Sequence, residues 1–258
     1  MAELVLVTGA AGNMGRMLRR GLQRPLRLID SAPDEGCAQA SVTDLDAMRT
    51  AMRGATAVVH LAGITEEDSW ERIVNVNVNG TRTVLEAARL EGVTQVVLAS
   101  SNHAAGFQER GPAELPADVR ARPDTYYGFS KAASESLGAL YHDRFGMNVV
   151  CLRIGTCYEK PFDVRGLSTW LSPGDAVRLV DAALDARGFG IVWGVSDNTR
   201  RWWSLEEGRE IGYVPQDDAE RFAAEMEAKA AGDAAADLGR RYVGGFFCAL
   251  PLGERPAG

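Results

Sequence analysis

The feature that most constrains this chain is the alternation of short apolar runs with helix-period stretches through its first 155 residues. Residues 4–8, 26–30, 57–62, 95–100 and 148–154 are apolar runs of strand length. Residues 14–22, 44–52, 74–90 and 129–145 repeat their apolar positions at helical spacing. Runs with no polar alternation mark strands buried on both faces, hence a sheet covered by helices on both sides. Strand–helix alternation of this kind implies a right-handed, doubly wound (Rossmann-type) parallel α/β sheet. A further helix over 175–186 and a strand over 191–194 extend it. The segments 156–172 and 196–258 are loop-rich and hold most of the tryptophans. The Ala/Glu/Asp-rich run 220–238 reads as a solvated helix, interrupted at Gly232 and stopped at Gly239.

With 258 residues the chain can bury a sizeable core. The formal charge of −7 disfavours nucleic acid and anionic membrane as partners. No apolar stretch approaches the roughly 20 residues of a membrane span, and the N-terminus lacks the basic region of a signal peptide. The cysteines, Cys37, Cys151, Cys157 and Cys248, form no CxxC pair and have no histidine at ligand spacing, so no metal site is expected. A reducing cytoplasm is the expected compartment.

The first strand runs into TGAAGNMG, which places Gly9, Gly12 and Gly15 at three-residue spacing around Asn13 and Met14. Glycines let the backbone turn tightly and let a pyrophosphate approach it, and the following helix offers free N–H groups at its positive end. A tight turn without ligand would fit the glycines alone, but their place between first strand and first helix favours the phosphate reading. The second strand ends at Asp30, twenty-one residues after Gly9. A carboxylate there accepts the ribose hydroxyls of adenosine and repels a 2′-phosphate, which points to NAD rather than NADP. An Asx turn with Ser31 is the simpler use of the same residue.

Tyr127 and Lys131 stand four residues apart, on one face of a helix for which Asp124 is a candidate N-cap. A phenol titrates near 10, too high for a base at neutral pH, and a lysine ammonium one turn away would lower it. The pair also occurs by chance on solvated helices. The fourth long strand ends in Ser100, Ser101, Asn102 and His103, at the carboxyl edge where open α/β sheets bind ligands. Ser101 can donate to a substrate oxygen there. A strand-end turn and a histidine bonded to local backbone are the plainer readings of Ser101 and His103.

Taken together, TGAAGNMG, HLAG (residues 60–63), NVNGT (77–81), ASS and YGFSK resemble the extended branch of the short-chain dehydrogenase/reductase superfamily. SSNH (100–103), ARPDTYYGFSK (121–131), LRIGTC (152–157), VRGLSTW (164–170), IVWGVSD (191–197) and the pair Trp202–Trp203 resemble, more narrowly, the uronate dehydrogenases. The resemblance implies NAD-dependent oxidation of hexuronic acids such as D-galacturonate and D-glucuronate at C1, giving an aldaro-lactone. It implies Ser101, Tyr127 and Lys131 as catalytic residues, with Tyr127 the general base. Gly9, Gly12, Asn13, Met14, Gly15, Asp30, Ser31, Val42, Leu61, Ala62, Gly63, Asn77 and Lys131 would hold the cofactor, Asn77 by helping to fix the lysine through backbone or water contacts. Thr65, Ser101, Asn102, His103, Tyr127, Thr156, Arg165 and Phe247 would line the sugar site. An acidic sugar needs a carboxylate anchor, and Arg165 is the candidate; a surface arginine is the commoner fate of the residue type. Ser41 stands where the family commonly has an acidic residue against the adenine, and Thr65 and Thr156 where it more often has serine.

The resemblance divides the chain into an NAD-binding domain over 1–155, its sheet completed by 173–195, and a small substrate-binding cap over 156–172 and 196–258. It also implies a homo-oligomer with a small-molecule partner. Two other readings stand beside it. An NAD-retaining nucleotide-sugar epimerase or dehydratase shares the first 150 residues but usually needs a larger C-terminal lobe. A non-catalytic dinucleotide sensor has no need of the Tyr–Lys–Ser set.

Overall fold

The computed structural model of the chain describes residues 4–229 and 241–255. In chain order the elements are β1 (Val5–Thr8), α1 (Asn13–Gly21), β2 (Leu26–Asp30), β3 (Ala38–Gln39), α2 (Leu45–Met52), β4 (Ala57–His60), α3 (Trp70–Ile73), α4 (Gly80–Leu90), β5 (Gln95–Ser101), α5 (Tyr126–Phe145) and β6 (Asn148–Ile154). There follow β7 (Thr156–Cys157), α6 (Gly166–Thr169), β8 (Trp170–Leu171), α7 (Pro173–Asp185), β9 (Phe189–Gly194), α8 (Glu206–Glu210) and α9 (Ala223–Lys229).

Seven strands form one sheet in the order β3-β2-β1-β4-β5-β6-β9, every neighbouring pair parallel. The pleat explains the continuous apolar runs. Val5, Val7, Val59, Val97, Val150 and Leu152 point into one core, which takes Met17 and Leu18 from α1 and Leu179 and Val180 from α7. Leu6, Val58, Val96, Leu98, Val149 and Cys151 point into the other, with Met48 and Met52 from α2 and Val84 and Leu85 from α4. Strand order reverses between β1 and β4, and the crevice beyond their carboxyl ends is where such a sheet receives a ligand.

Several boundaries differ from the sequence pattern. The strand expected over 57–62 ends at His60, because the next residues turn under Gly9. The helix expected over 74–90 is longer and irregular: α3 runs into a π-helical segment, Val74–Asn79, before α4 begins. The helix expected from Phe129 begins at Tyr126, and its N-cap is Thr125, whose hydroxyl accepts from the Gly128 N–H, rather than Asp124. Ser172 caps α7, with Pro173 in its first turn. Of the helix expected over 220–238, a 3₁₀ turn (Ala219–Phe222) and α9 are present, and the part from 230 on lies outside the described residues.

The segments between and after these strands carry a small apolar cluster of Leu167, Trp170, Ala219 and Met226. They join the sheet through Trp203, whose ring stacks on Trp193 of β9 at 4.5 Å. No helix among the described residues is long and apolar enough to cross a membrane.

Candidate active site

A cleft of about 1850 Å³ opens along the carboxyl edge of the sheet. Of the residues singled out in the sequence as site residues, all but Asn77 line it.

At one end the turn after β1 is shaped by what it excludes. Gly9 has φ +72°, and a Cβ on it would stand 2.6 Å from the Ala62 nitrogen. A Cβ on Gly15 would stand 2.5 Å from the Gly9 carbonyl oxygen. Gly12 caps α1 without a side-chain hydrogen bond, and the first turn holds no acidic residue. The free N–H groups and the positive helix end therefore face the cleft and suit a pyrophosphate. Asp30 serves the turn and the cleft together: one carboxylate oxygen accepts from Ala32 N–H and the other from Ala11 N–H, each at 2.9 Å. The Asx turn thus forms onto Ala32 and leaves Ser31 on the cleft wall. Asn13 ties the turn to β7 by donating to the Cys157 carbonyl at 2.8 Å. This cradle fits an adenine dinucleotide: close backbone, free donors, and the Asp30 carboxylate at the end of β2 on the cleft wall.

In the middle of the cleft stand Tyr127, Lys131 and Ser101. Two N–H groups at the start of α5, those of Tyr126 and Tyr127, donate to the buried carboxylate of Glu67 at 3.2 and 2.9 Å. Burial pushes the Tyr127 phenol up to about 12, against the opposing effect of a hydrogen bond with the Ser101 hydroxyl. Lys131 Nζ lies 5.6 Å from the Tyr127 ring centroid and donates to the Ala99 carbonyl at 2.7 Å. Burial pulls this ammonium from the ordinary 10.5 down to about 8. Burial thus moves both groups of the pair toward their neutral forms.

Asn77 is buried beside the cleft rather than lining it. Its side chain exchanges hydrogen bonds with the Ile64 main chain, accepting at 2.8 Å and donating at 2.9 Å, and donates to the Ser130 hydroxyl at 2.9 Å. It fixes the loop after β4 to α5 and makes no direct contact with Lys131. His60 lies in the same layer between the hydroxyls of Thr8 and Thr81. Burial, aided by the Lys131 charge, pulls it down to about 3, so it stays neutral. Ser100 turns away from the cleft centre to donate to Glu135, which also takes both arms of Arg153 in a buried bidentate pair at 2.8 Å.

At the other end Asn102 donates to the Val243 carbonyl at 3.1 Å, and the His103 ring stacks on Phe247 with centroids 3.9 Å apart. His103 Nδ1 lies 2.7 Å from Asp124 Oδ2. Thr156 pairs with the Thr169 hydroxyl at 3.0 Å, and Thr65 lines the same space. Arg165 stands in the wall rather than in bulk solvent. One of its terminal nitrogens donates to the Val243 carbonyl, its Nε is buried without a partner, and no carboxylate lies within ion-pair distance among the described residues. Among the described residues, no group of three or more potential ligands could hold a metal ion.

Glu67, Asp124 and the Glu135–Arg153 pair were not marked by the sequence as parts of this site. Glu67 caps a helix about sixty residues away, which no local pattern signals. Asp124 was legible only as a helix cap.

Comparison with known proteins shows the family. The model of the NAD dependent epimerase/dehydratase family matches residues 5–202. Uronate dehydrogenase of Pseudomonas putida is 39% identical over 94% of this chain and 94% of its own length. NAD-dependent glucose-6-phosphate dehydrogenase of Haloferax volcanii is 36% identical over 88% of this chain and 98% of its own. A mutant of uronate dehydrogenase from Agrobacterium tumefaciens, solved in complex with NAD, superposes with a TM-score of 0.89 at 36% identity, covering 96% of this chain and 98% of that one. The chain is an NAD-dependent oxidoreductase that belongs to the NAD dependent epimerase/dehydratase family, and within it to the uronate dehydrogenases.

Proposed function

We propose that the protein oxidises a hexuronic acid, such as D-galacturonate or D-glucuronate, at C1 to the aldaro-lactone, with NAD+ as acceptor. One observation carries the substrate class. Among the described residues, Arg165 is a guanidinium with a buried, unpartnered Nε and no carboxylate within ion-pair distance, lining the cleft with His103 and Phe247. Leaving a buried charged donor unmatched is costly, and a carboxylate with two acceptor oxygens matches the fork. The cap over 156–172 and 196–258 supplies Arg165 and Phe247 and is proposed as the substrate-binding part, with Thr65, Asn102 and Thr156 around the sugar hydroxyls.

NAD+ supplies the hydride acceptor. The protein's own residues handle the proton and the geometry. Tyr127 and Ser101, both lining the cleft, bracket the C1 hydroxyl, so that Tyr127 Oη takes its proton as the C1–H bond breaks. A phenol held near 12 is a strong base once ionised but is rarely ionised at neutral pH. The reaction therefore needs positive charge beside it, which Lys131 provides when protonated. Gly9, Gly12, Asn13, Met14, Gly15, Asp30, Ser31, Val42, Leu61, Ala62 and Gly63 would seat the dinucleotide. Closing the sugar between the two walls supplies orientation, a large share of the rate.

The test is NADH formation from a panel of uronates, the matching neutral hexoses and aldose 6-phosphates, with NAD+ and NADP+ in turn. The proposal expects turnover of uronates with NAD+. Turnover of the phosphates or neutral sugars in their place would replace it, as the similarity to a glucose-6-phosphate dehydrogenase makes a phosphate the nearest rival anion.

A further inference from the structure

The geometry points to Asp124 as a positioning residue that fixes the tautomer of His103 for sugar binding. This inference rests on the sugar-acid reading above. The Asp124 side chain has no exposed surface. Three segments leave room for it. A Cβ on Gly106, just past the turn that follows β5, would stand 2.1 Å from its carboxylate. One on Gly128 of α5 would stand 2.7 Å away, and one on Gly244 of the C-terminal segment 1.9 Å away. Any side chain at these places would collide with the carboxylate, so the fold reserves the space for it.

A buried carboxylate needs donors, and among the described residues this one has two. Thr125 Oγ1 donates to Oδ1 at 2.9 Å and His103 Nδ1 to Oδ2 at 2.7 Å. A carboxylate only accepts, so Nδ1 carries the proton, and in the neutral ring Nε2 is then the acceptor nitrogen. The ring plane is set from two further sides, by the stack on Phe247 and by the edge contact with Tyr127 at 5.8 Å. His103 lines the cleft beside Arg165. Nε2 thus presents a lone pair that accepts from a hydroxyl of the sugar next to the reacting carbon. The Phe247 contact makes the C-terminal segment part of the same device, since it holds the ring that Asp124 orients.

Asp124→Asn tests this without changing size. Thr125 still needs an acceptor at Oδ1, so the amide nitrogen falls opposite His103 Nδ1 and donates to it. The ring then takes the opposite tautomer, with Nε2–H facing the sugar. Ring nitrogen shifts of His103, followed by NMR of 15N-histidine-labelled protein saturated with NAD+, read the tautomer directly, with His60 and His142 as internal references. The inference expects the Nδ1–H form in the parent protein and the Nε2–H form in the variant. It also expects kcat/KM for a uronate to fall by about tenfold or more while the Kd for NAD+ stays within about twofold. An unchanged His103 tautomer overturns it, as does catalytic efficiency within about twofold of the parent. Failure of the parent protein to oxidise any uronate would instead overturn the sugar-acid reading, which the NMR readout does not depend on.

Discussion

Replacing Lys131 by methionine should abolish turnover and yet remove a pH-dependent weakness from the fold. The Lys131 ammonium is held among β5, α5 and the cleft wall and donates to the Ala99 carbonyl. Burial lowers its pKa from 10.5 to about 8, although the Glu135 charge works the other way. The folded state therefore binds this proton less readily than the unfolded chain does. Below pH 8 both states carry it, and folding bears the full penalty. Between pH 8 and 10.5 the unfolded chain holds more protons, so stability rises with pH across that window. The gap between 10.5 and about 8 corresponds to about 3 kcal/mol. Methionine removes the charge but leaves the Ala99 carbonyl without its donor, a loss of about 1–3 kcal/mol that does not depend on pH. At neutral pH the two effects partly cancel. The clean signature is the difference between the proteins: the parent should gain about 3 kcal/mol relative to Lys131→Met as pH goes from 7 to 10.5. Urea unfolding at a series of pH values measures it. NMR of 13C-lysine-labelled protein gives the pKa itself, since only Lys160 and Lys229 share the label. Parallel stability curves, or a Lys131 titration near 10.5, would refute the reasoning.

Three further outcomes follow from the same geometry. Tyr127→Phe keeps the ring and removes the proton acceptor, so kcat for a uronate should drop by at least ~100-fold with NAD+ affinity intact; near-normal turnover would remove Tyr127 from the chemistry. Gly15→Ala puts a Cβ 2.5 Å from the Gly9 carbonyl and 2.7 Å from Ala10 main-chain atoms, so the turn must shift, and calorimetric titration should show NAD+ bound about tenfold more weakly or worse. Glu67→Ala leaves the Tyr126, Tyr127 and Gly253 N–H groups without their acceptor, and unfolding should show a loss of about 3 kcal/mol.

What the sequence shows about this fold depends on how local the cause is. The parallel sheet is readable because its strands are buried on both faces, so Leu6 and Val7 must both be apolar although they point into different cores. The phosphate turn is readable because backbone clearance at Gly9 and Gly15 demands glycine. The Tyr127–Lys131 pair is readable because both sit on one turn of α5. The behaviour of that pair is not, because desolvation depends on everything packed around it, and it moves the two groups toward their neutral forms. The π-helical segment that aims Asn77 at Ile64 leaves no periodic signature distinct from an ordinary helix. Glu67 on α5, Glu135 on Arg153 and Asp124 on His103 are partnerships made only when distant segments meet.

The central claim is that a guanidinium clamps the substrate's carboxylate beside the Tyr127 phenol. Its most direct measurement is NADH formation by the parent protein and by Arg165→Ala, each given a uronate and the matching neutral hexose. A charge-assisted pair lost from a buried wall is worth about 2–3 kcal/mol, so kcat/KM for the uronate should fall by about 30- to 150-fold, mainly through KM. Any activity on the neutral hexose should stay within about threefold. Equal losses on both sugars, or an unchanged KM for the uronate, would contradict the account.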